Sequence, residues 1–305
     1  MPEARATTLI KRREEVDVMP LARHQSRWHS SAWALAMVLM MALLPIELRA
    51  SSAPVDSNTA KSNRVVRIAT DDAAAPYSHA VNGRAAGYYL RLVQRAAESM
   101  PGWRLEFTPM PWVRALRQAE LGEADAVLPP YRGLGREWIA HYVRLPHREE
   151  VVLSCHAESG LGANSQWPQD FGGRHIGVTR GYLISPALVD TVQRRWVHKV
   201  EFRNARDALA ALGAGDIDCY ANERLSIEVN YQQARSDPLW ANRLPTELKR
   251  PLLLSEQQAY LAISRQALRK RPELQEFARD LQVELNRLSE STEMQRLQNE
   301  LIERP

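Results

Sequence analysis

The sequence predicts a two-lobed α/β protein in which each lobe is a mostly parallel sheet covered by helices, with a ligand cleft between the lobes. Three observations carry this expectation. One passage occurs twice: residues 117–128 read as a helix end, a glycine stop at Gly122, then Asp125 entering an apolar strand, and residues 208–220 repeat it with Gly215 and Asp218, each 93 positions further on. Glycine suits the left-handed residue that closes a helix, and an apolar run after it suits a buried strand. Around both passages, short apolar strands alternate with helical stretches, the pattern of parallel sheets with covering helices. Finally, a charged residue lies just past each repeated strand, Arg136 after the first and Glu223 after the second. Strand ends of open α/β sheets line the ligand crevice. A cation from one lobe and an anion from the other is what a clamp for a zwitterion requires.

The chain has 305 residues, enough for two ordinary domains and a sizeable core. In chain order, the first 50 read as a signal peptide. Arg23, His24, Arg27 and His29 precede an apolar run from Ala32 to Leu44, followed by Leu48-Arg49-Ala50. That run is short of the roughly 20 residues a membrane-spanning helix needs. Acidic Glu14, Glu15 and Asp17 fit a signal poorly, so Met19, followed by Pro20-Leu21-Ala22-Arg23, is the expected start. Residues 51–63 are small and polar, a flexible leader.

From Arg64 the elements follow in turn. Val65–Thr70 is an apolar strand, and Tyr88–Met100 has helical spacing at Leu90, Val93, Ala96 and Ala97. Arg104–Pro109 alternates as a strand, Trp112–Leu121 is a helix led in by Pro111, and Ala124–Leu128 is the buried strand of the first repeat. Residues 157–173 are rich in Gly, Ser and Pro and break the pattern. It restarts with His175–Thr179 (strand), Pro186–Arg195 (helix), Lys199–Phe202 (strand), Ala205–Leu212 (helix), Ile217–Ala221 (strand) and Leu225–Ala234 (helix). Ala259–Ser264 is a strand, and helices over Pro272–Leu288 and Thr292–Ile302 close the chain.

Composition narrows the function classes. Apolar content of 45% with 25% charged residues is that of a globular protein and argues against wholesale disorder. The net charge is only +4 with scattered basic residues, unlike the concentrated basic stripe of a nucleic-acid binder, so no nucleic-acid partner is expected. The histidines beyond the leader (His79, His141, His147, His156, His175, His198) show no metal-ligand spacing. Gly160-Leu161-Gly162 and Gly213-Ala214-Gly215 lack the rest of a dinucleotide loop, and no nucleophile elbow exists. No cofactor or metal is therefore expected. Cys155 and Cys219 fall in strands expected at Val151–His156 and Ile217–Ala221. In an oxidising compartment they form either a disulfide or two buried thiols, and the sequence leaves both open.

The order of motifs resembles the family 3 periplasmic solute-binding proteins, the amino-acid-type binding proteins of ABC importers, which have a type II periplasmic-binding fold. The resemblance spans about Arg64 to Leu288. It rests on Arg67-Ile68-Ala69-Thr70, Ala75-Pro76-Tyr77, Asn82-Gly83, Gly87-Tyr88, Pro111-Trp112-Val113-Arg114-Ala115, Gly122-Glu123-Ala124-Asp125-Ala126 and Arg136-Glu137. The second lobe adds residues 176–181 and 215–223. The resemblance implies a discontinuous first lobe, 64–150 plus 258–305, and a second lobe of 151–257. It implies hinge closure at crossovers near Pro146–Val152 and Glu256–Leu261, a periplasmic location, and delivery to the permease of an ABC importer or to a membrane receptor, with a monomer as the default.

In the family, an Arg at the place of Arg136 holds the ligand carboxylate, for which its fork of donors is suited. An acid at the place of Glu223 takes the ammonium, and an aromatic in the first loop, here Tyr77, packs on the ligand. Where the family has small hydroxyl residues, this chain has Leu128-Pro129-Pro130-Tyr131 and Tyr182-Leu183. Tyr131, Tyr182, Asn222 and Arg180 complete the expected ligand-binding set. Fewer hydroxyls and more aromatic surface point to an aromatic or amphiphilic carboxylate, with Arg114, Arg132 and Arg180 as spare cations for a second acidic group. Two other readings accompany the solute binder. One is a cyclohexadienyl dehydratase-like enzyme with Glu223 as proton donor, and the other is a periplasmic sensory partner.

Overall fold

The computed structural model describes residues 64–303, so the expected signal peptide, start site and leader lie outside the described residues. β1 (Arg64–Asp71) is followed by three short strands, β2 (Ala73–Ala74), β3 (Ser78–Val81) and β4 (Arg84–Ala86). Next come α1 (Tyr88–Ala97), β5 (Trp103–Met110), α2 (Trp112–Leu121) and β6 (Ala126–Leu128). The long β7 (Ile139–Cys155) leads to β8 (His175–Thr179), α3 (Pro186–Gln193), β9 (His198–Phe202), α4 (Ala205–Ala214), β10 (Cys219–Glu223) and α5 (Arg224–Arg235). The chain returns along β11 (Leu252–Ser264) and ends in α6 (Arg265–Lys270), α7 (Leu274–Ser289) and α8 (Thr292–Glu303).

Eight strands form one sheet in the order β5-β1-β6-β11-β7-β10-β8-β9, and β2-β3-β4 form a small second sheet. The pairs β1–β5, β1–β6, β8–β9 and β8–β10 are parallel. The expected two sheets are thus the two halves of one, because β7 and β11 pair antiparallel from Leu252 opposite Leu153 to Ser264 opposite Ile139. The sequence shows only the apolar ends of these strands. The charged stretch Arg148-Glu149-Glu150, inside the crossover expected near Pro146–Val152, is extended because β11 satisfies its backbone groups. The pairing slips between Gln258 and Tyr260. There the Gln258 side-chain amide donates to the carbonyls of Leu145 (2.5 Å) and His147 (2.8 Å).

Alternation along the strands sends side chains to cores on both faces. Val66 and Ile68 of β1 join Leu92 of α1 and Phe277 and Leu281 of α7 in one core, whereas Ala69 faces the opposite core with Ala115 and Ala119 of α2. In the other half, Val151, Leu153 and Cys155 pack with Phe171, Ile176 and Leu188, while Val152 and Tyr220 pack with Leu209, Leu212 and Ile227. The C-terminal α7 and α8 therefore cover the same core as α1.

The repeated passage has a structural reason. The Asp125 backbone N–H donates to the Arg67 carbonyl (2.8 Å) and its carboxylate accepts from the Arg67 N–H (2.8 Å). Asp218 does the same to His175, at 3.0 and 2.8 Å. Each Asp ties the entry of its strand to the neighbouring parallel strand. The glycines before them end α2 and α4 in the left-handed region, with φ of 68° at Gly122 and 78° at Gly215. Gly122 also lies against α6, where an added Cβ would come within 2.9 Å of the Ala267 nitrogen.

Cys155 and Cys219 stand directly opposite each other on β7 and β10 and form a disulfide across the pair. Among the described residues, no helix is long and apolar enough to cross a membrane.

Candidate functional site

The strand ends of both halves open onto one cleft. β1 contributes Asp71, its last residue, and the β2–β3 turn contributes Tyr77. Trp112 begins α2, and Tyr131 follows β6. Glu149 projects from the middle of β7, Asn222 and Glu223 end β10, and Tyr182 follows β8. Arg136 and Ser226 complete the polar lining.

Arg136 is 6% exposed. One guanidinium nitrogen donates to the Tyr131 carbonyl (2.7 Å), and the group lies 5.7 Å from the centre of the Trp112 ring. No carboxylate pairs with it among the described residues. Burial lowers its pKa to about 10, which still leaves a cation at neutral pH. A buried cation without a counter-ion is costly to keep unless something supplies the charge.

Glu223 is the N-cap of α5. Its carboxylate accepts from the backbone N–H groups of Leu225 (3.1 Å) and Ser226 (2.7 Å). It therefore caps a helix and lines the cleft at once. Burial pushes its pKa upward, and the nearby negative charge of Glu149 adds to that shift. Tyr77 is buried beside it, and its hydroxyl lies 3.2 Å from the His147 ring. Tyr131 donates to Glu149 at 2.5 Å, and Tyr182 donates to Asp71 at 2.6 Å. Asn222 braces the end of β10, donating to the Tyr220 hydroxyl and accepting from the Glu223 N–H.

Six of the seven expected ligand-binding residues meet in this cleft: Arg136, Glu223, Tyr77, Tyr131, Tyr182 and Asn222. Arg180 does not. Its side chain is 62% exposed and sits 3.7 Å from Glu201, because the backbone turns it to the surface after β8. The other two spare cations also face away from the cleft. Arg114 is exposed, and Arg132 lies over the rings of Tyr142 (4.7 Å) and Tyr260 (5.3 Å).

Sequence reading missed Asp71, Glu149, Trp112 and Ser226. Asp71 ends an apolar strand, a position that could have marked it. Glu149 shares the parity of Val151, Leu153 and Cys155, which points it to the same face of β7 as those buried side chains. Burial raises the pKa of Asp71 to about 7 and that of Glu149 in the same direction. The cleft therefore carries one cation and three acids.

Hydrogen bonds join its two sides. Besides Tyr182 to Asp71, the Trp112 indole donates to the Gly181 carbonyl (3.1 Å) and the Ser226 hydroxyl donates to the Ala75 carbonyl (2.8 Å).

No family model and no curated protein matches the chain. Solved structures do. A histidine kinase sensor domain with similarity to periplasmic binding proteins aligns with a TM-score of 0.64 and 18% identity, over 78% of this chain and 96% of that one. The ancestral amino acid-binding protein AncCDT-1, a precursor of cyclohexadienyl dehydratase, aligns at 0.59 and 14%, over 78% and 95%. The amino acid ABC transporter substrate-binding protein AbpA from Streptococcus pneumoniae, bound to L-arginine, aligns at 0.60 and 16%, over 78% and 94%. At these identities the likeness is one of architecture: the chain has the type II periplasmic-binding fold.

Proposed function

We propose that this protein is an extracytoplasmic solute-binding protein that closes around a small carboxylate-bearing molecule and presents it to the permease of a membrane ABC importer. The lobes are 64–150 with 258–305, and 151–257. Closure bends the paired crossover strands β7 and β11, whose pairing slips at Gln258–Tyr260 beside the cleft. The observation that carries this reading is Arg136, a buried cation with no acidic partner among the described residues, facing a cleft whose other wall holds Glu223. Arg136 receives the carboxylate and Glu223 receives an ammonium group. Tyr77, Tyr131 and Tyr182 cover the apolar part of the ligand, and Trp112 supports the guanidinium.

The test is a thermal-shift screen of the purified protein against amino acids, polyamines, dicarboxylates and aromatic acids. A ligand at 100 times its dissociation constant adds about 2.7 kcal/mol, which for a chain of this size is a rise of several degrees. Hits among α-amino acids that vanish in Arg136→Ala support the reading. Hits that survive that substitution remove Arg136 from the site.

Two other readings have specific observations behind them. The likeness to a histidine kinase sensor domain favours a sensory partner that shows its ligand to a membrane receptor. The buried Glu223, with its raised pKa, keeps a proton that a dehydratase could donate. Conversion of prephenate or arogenate to an aromatic product, followed by absorbance, separates that enzyme from a binder.

A further inference from the structure

Glu149 and Glu223 are 74 positions apart in the chain and share one face of the sheet. β7 and β10 pair antiparallel with Val151 opposite Glu223. Glu149, two positions from Val151, is therefore the diagonal neighbour of Glu223 on the same side. Diagonal neighbours stand about 7–8 Å apart, somewhat less at their Cβ atoms, within reach of two glutamate side chains. Both are buried, and both line the cleft.

Each carboxyl is held by two neutral donors. Glu149 accepts from the hydroxyls of Tyr89 on α1 and Tyr131 after β6, and Glu223 from two backbone N–H groups of α5. Neither is ion-paired with a basic side chain among the described residues. The arginines next to them in sequence are engaged elsewhere, Arg148 with Glu256 (3.2 Å) and Arg224 with Glu150 (2.5 Å). β11 sets the uncharged Gln257 opposite Glu149, and the Gln257 amide donates to the Ser255 hydroxyl (3.0 Å). The β2–β3 turn adds Tyr77, whose hydroxyl lies 3.2 Å from the His147 ring, and burial lowers the pKa of His147, so this imidazole is neutral and supplies no charge. Asp71 and Arg136 line the same cleft but hydrogen-bond to Tyr182 and Tyr131, not to either glutamate.

Two buried carboxyls this close do not both ionise without a positive charge beside them. Burial pushes both towards the protonated form, and the charge of Glu149 adds to the shift on Glu223. We infer that Glu149 and Glu223 share a proton in the ligand-free cleft and that the ligand's ammonium group expels it on entry, so that capture is coupled to proton release. This rests on the reading of the cleft as the site of an amine-bearing carboxylate. The exchange balances: the ammonium group keeps its protons and its charge, the pair becomes two carboxylates, and one proton leaves to solvent. Binding therefore strengthens as pH rises through the range in which the pair titrates, up to the pH at which the ligand's own ammonium deprotonates. An acid that lacks the amine gives the pair no replacement for its proton and releases none.

The experiment uses protein isotopically labelled at the glutamate side-chain carboxyl carbons, which leaves Asp71 silent. In the ligand-free protein, NMR should show glutamate carboxyls titrating near neutral pH, well above the ordinary carboxylate range. Glu149→Gln should lower the pH at which the remaining one titrates. L-Phenylalanine, L-glutamine and L-arginine are then added in turn, with phenylpropionate as the amine-free control. At least one amino acid should move these signals to the ionised position at neutral pH, and phenylpropionate should not. Calorimetry in phosphate and in Tris, which differ in ionisation enthalpy, should count about one proton released per molecule bound. The affinity should fall by up to about tenfold for each pH unit below the range of the pair. Should Glu149→Gln fail to fold, the wild-type signals and the proton count decide. If no glutamate titrates near neutrality, or an amino acid binds without releasing a proton, the inference is overturned and the solute-binding reading stands. Binding by none of the three amino acids overturns the inference as well, and the broader thermal-shift screen then decides separately on the solute-binding reading.

Discussion

Tyr182 and Asp71 lie 111 residues apart, and the Tyr182 hydroxyl donates a 2.6 Å hydrogen bond to the Asp71 carboxyl across the cleft. One side chain follows β8 and the other ends β1, so this bond joins the two walls of the cleft, which in the proposed reading part for a ligand to enter. The Trp112–Gly181 and Ser226–Ala75 bonds act in the same sense.

Tyr182→Phe should therefore loosen the ligand-free protein. Losing a buried bond to a carboxyl costs about 1–3 kcal/mol, and the radius of gyration from small-angle scattering should rise without ligand and return with it. A radius unchanged from wild type would show that Tyr182 does not hold the cleft closed.

Arg136→Met separates binding from folding. A carboxylate ligand should lose roughly 2–5 kcal/mol of affinity, as when one partner of a buried charge pair is truncated. The ligand-free protein should not lose stability, because an unpaired buried charge is replaced by an apolar side chain of similar volume. A large drop in the thermal midpoint would assign Arg136 a structural role.

Stability of the ligand-free protein should fall between pH 5 and pH 8. Burial raises the pKa of Asp71 to about 7 and moves Glu149 and Glu223 upward too, so the folded state holds their protons more tightly than the unfolded chain does. That contribution is fully present below the unfolded carboxyl range and is lost as pH rises through the folded values. Thermal midpoints measured across this window check it, and Asp71→Asn should flatten the slope. A midpoint that climbs with pH would contradict the sign.

Replacing both Cys155 and Cys219 by Ala should cost about 2–4 kcal/mol, since the bridge closes a loop across a sequence separation of 64. The disulfide lies among Val151, Leu153, Ile176 and Ala221, away from the cleft lining. Denaturant midpoints should move, and ligand affinity measured on the folded fraction should not.

The regular elements were legible where periodicity and punctuation agreed. Trp112–Leu121 and His175–Thr179 have the bounds the sequence predicts, because Pro111 and Gly122 bracket the first and apolar β residues fill the second. β2, β3 and β4 were not legible, being too short to show alternation. β7 and β11 were seen only at their apolar ends, because solvent-facing charges interrupt the pattern while the backbone continues. Arg136 and Glu223 could be placed because each follows a repeated strand. Glu149 could not, because in a run of three charged residues only the neighbouring parity tells which one points inward. Arg180 shows the converse error, a residue next to the cleft in sequence and turned from it in space.

The unpaired guanidinium of Arg136 also governs how the protein meets its solvent. In the proposed reading it is a carboxylate receptor, and such a receptor does not distinguish ligand from additive until the rest of the cleft is engaged. Acetate, citrate or formate in a purification buffer should then compete for it, so that apparent affinities decline as these anions are raised. Titrations in amine buffers with chloride as the counter-ion will give tighter constants than the same titrations in carboxylate buffers.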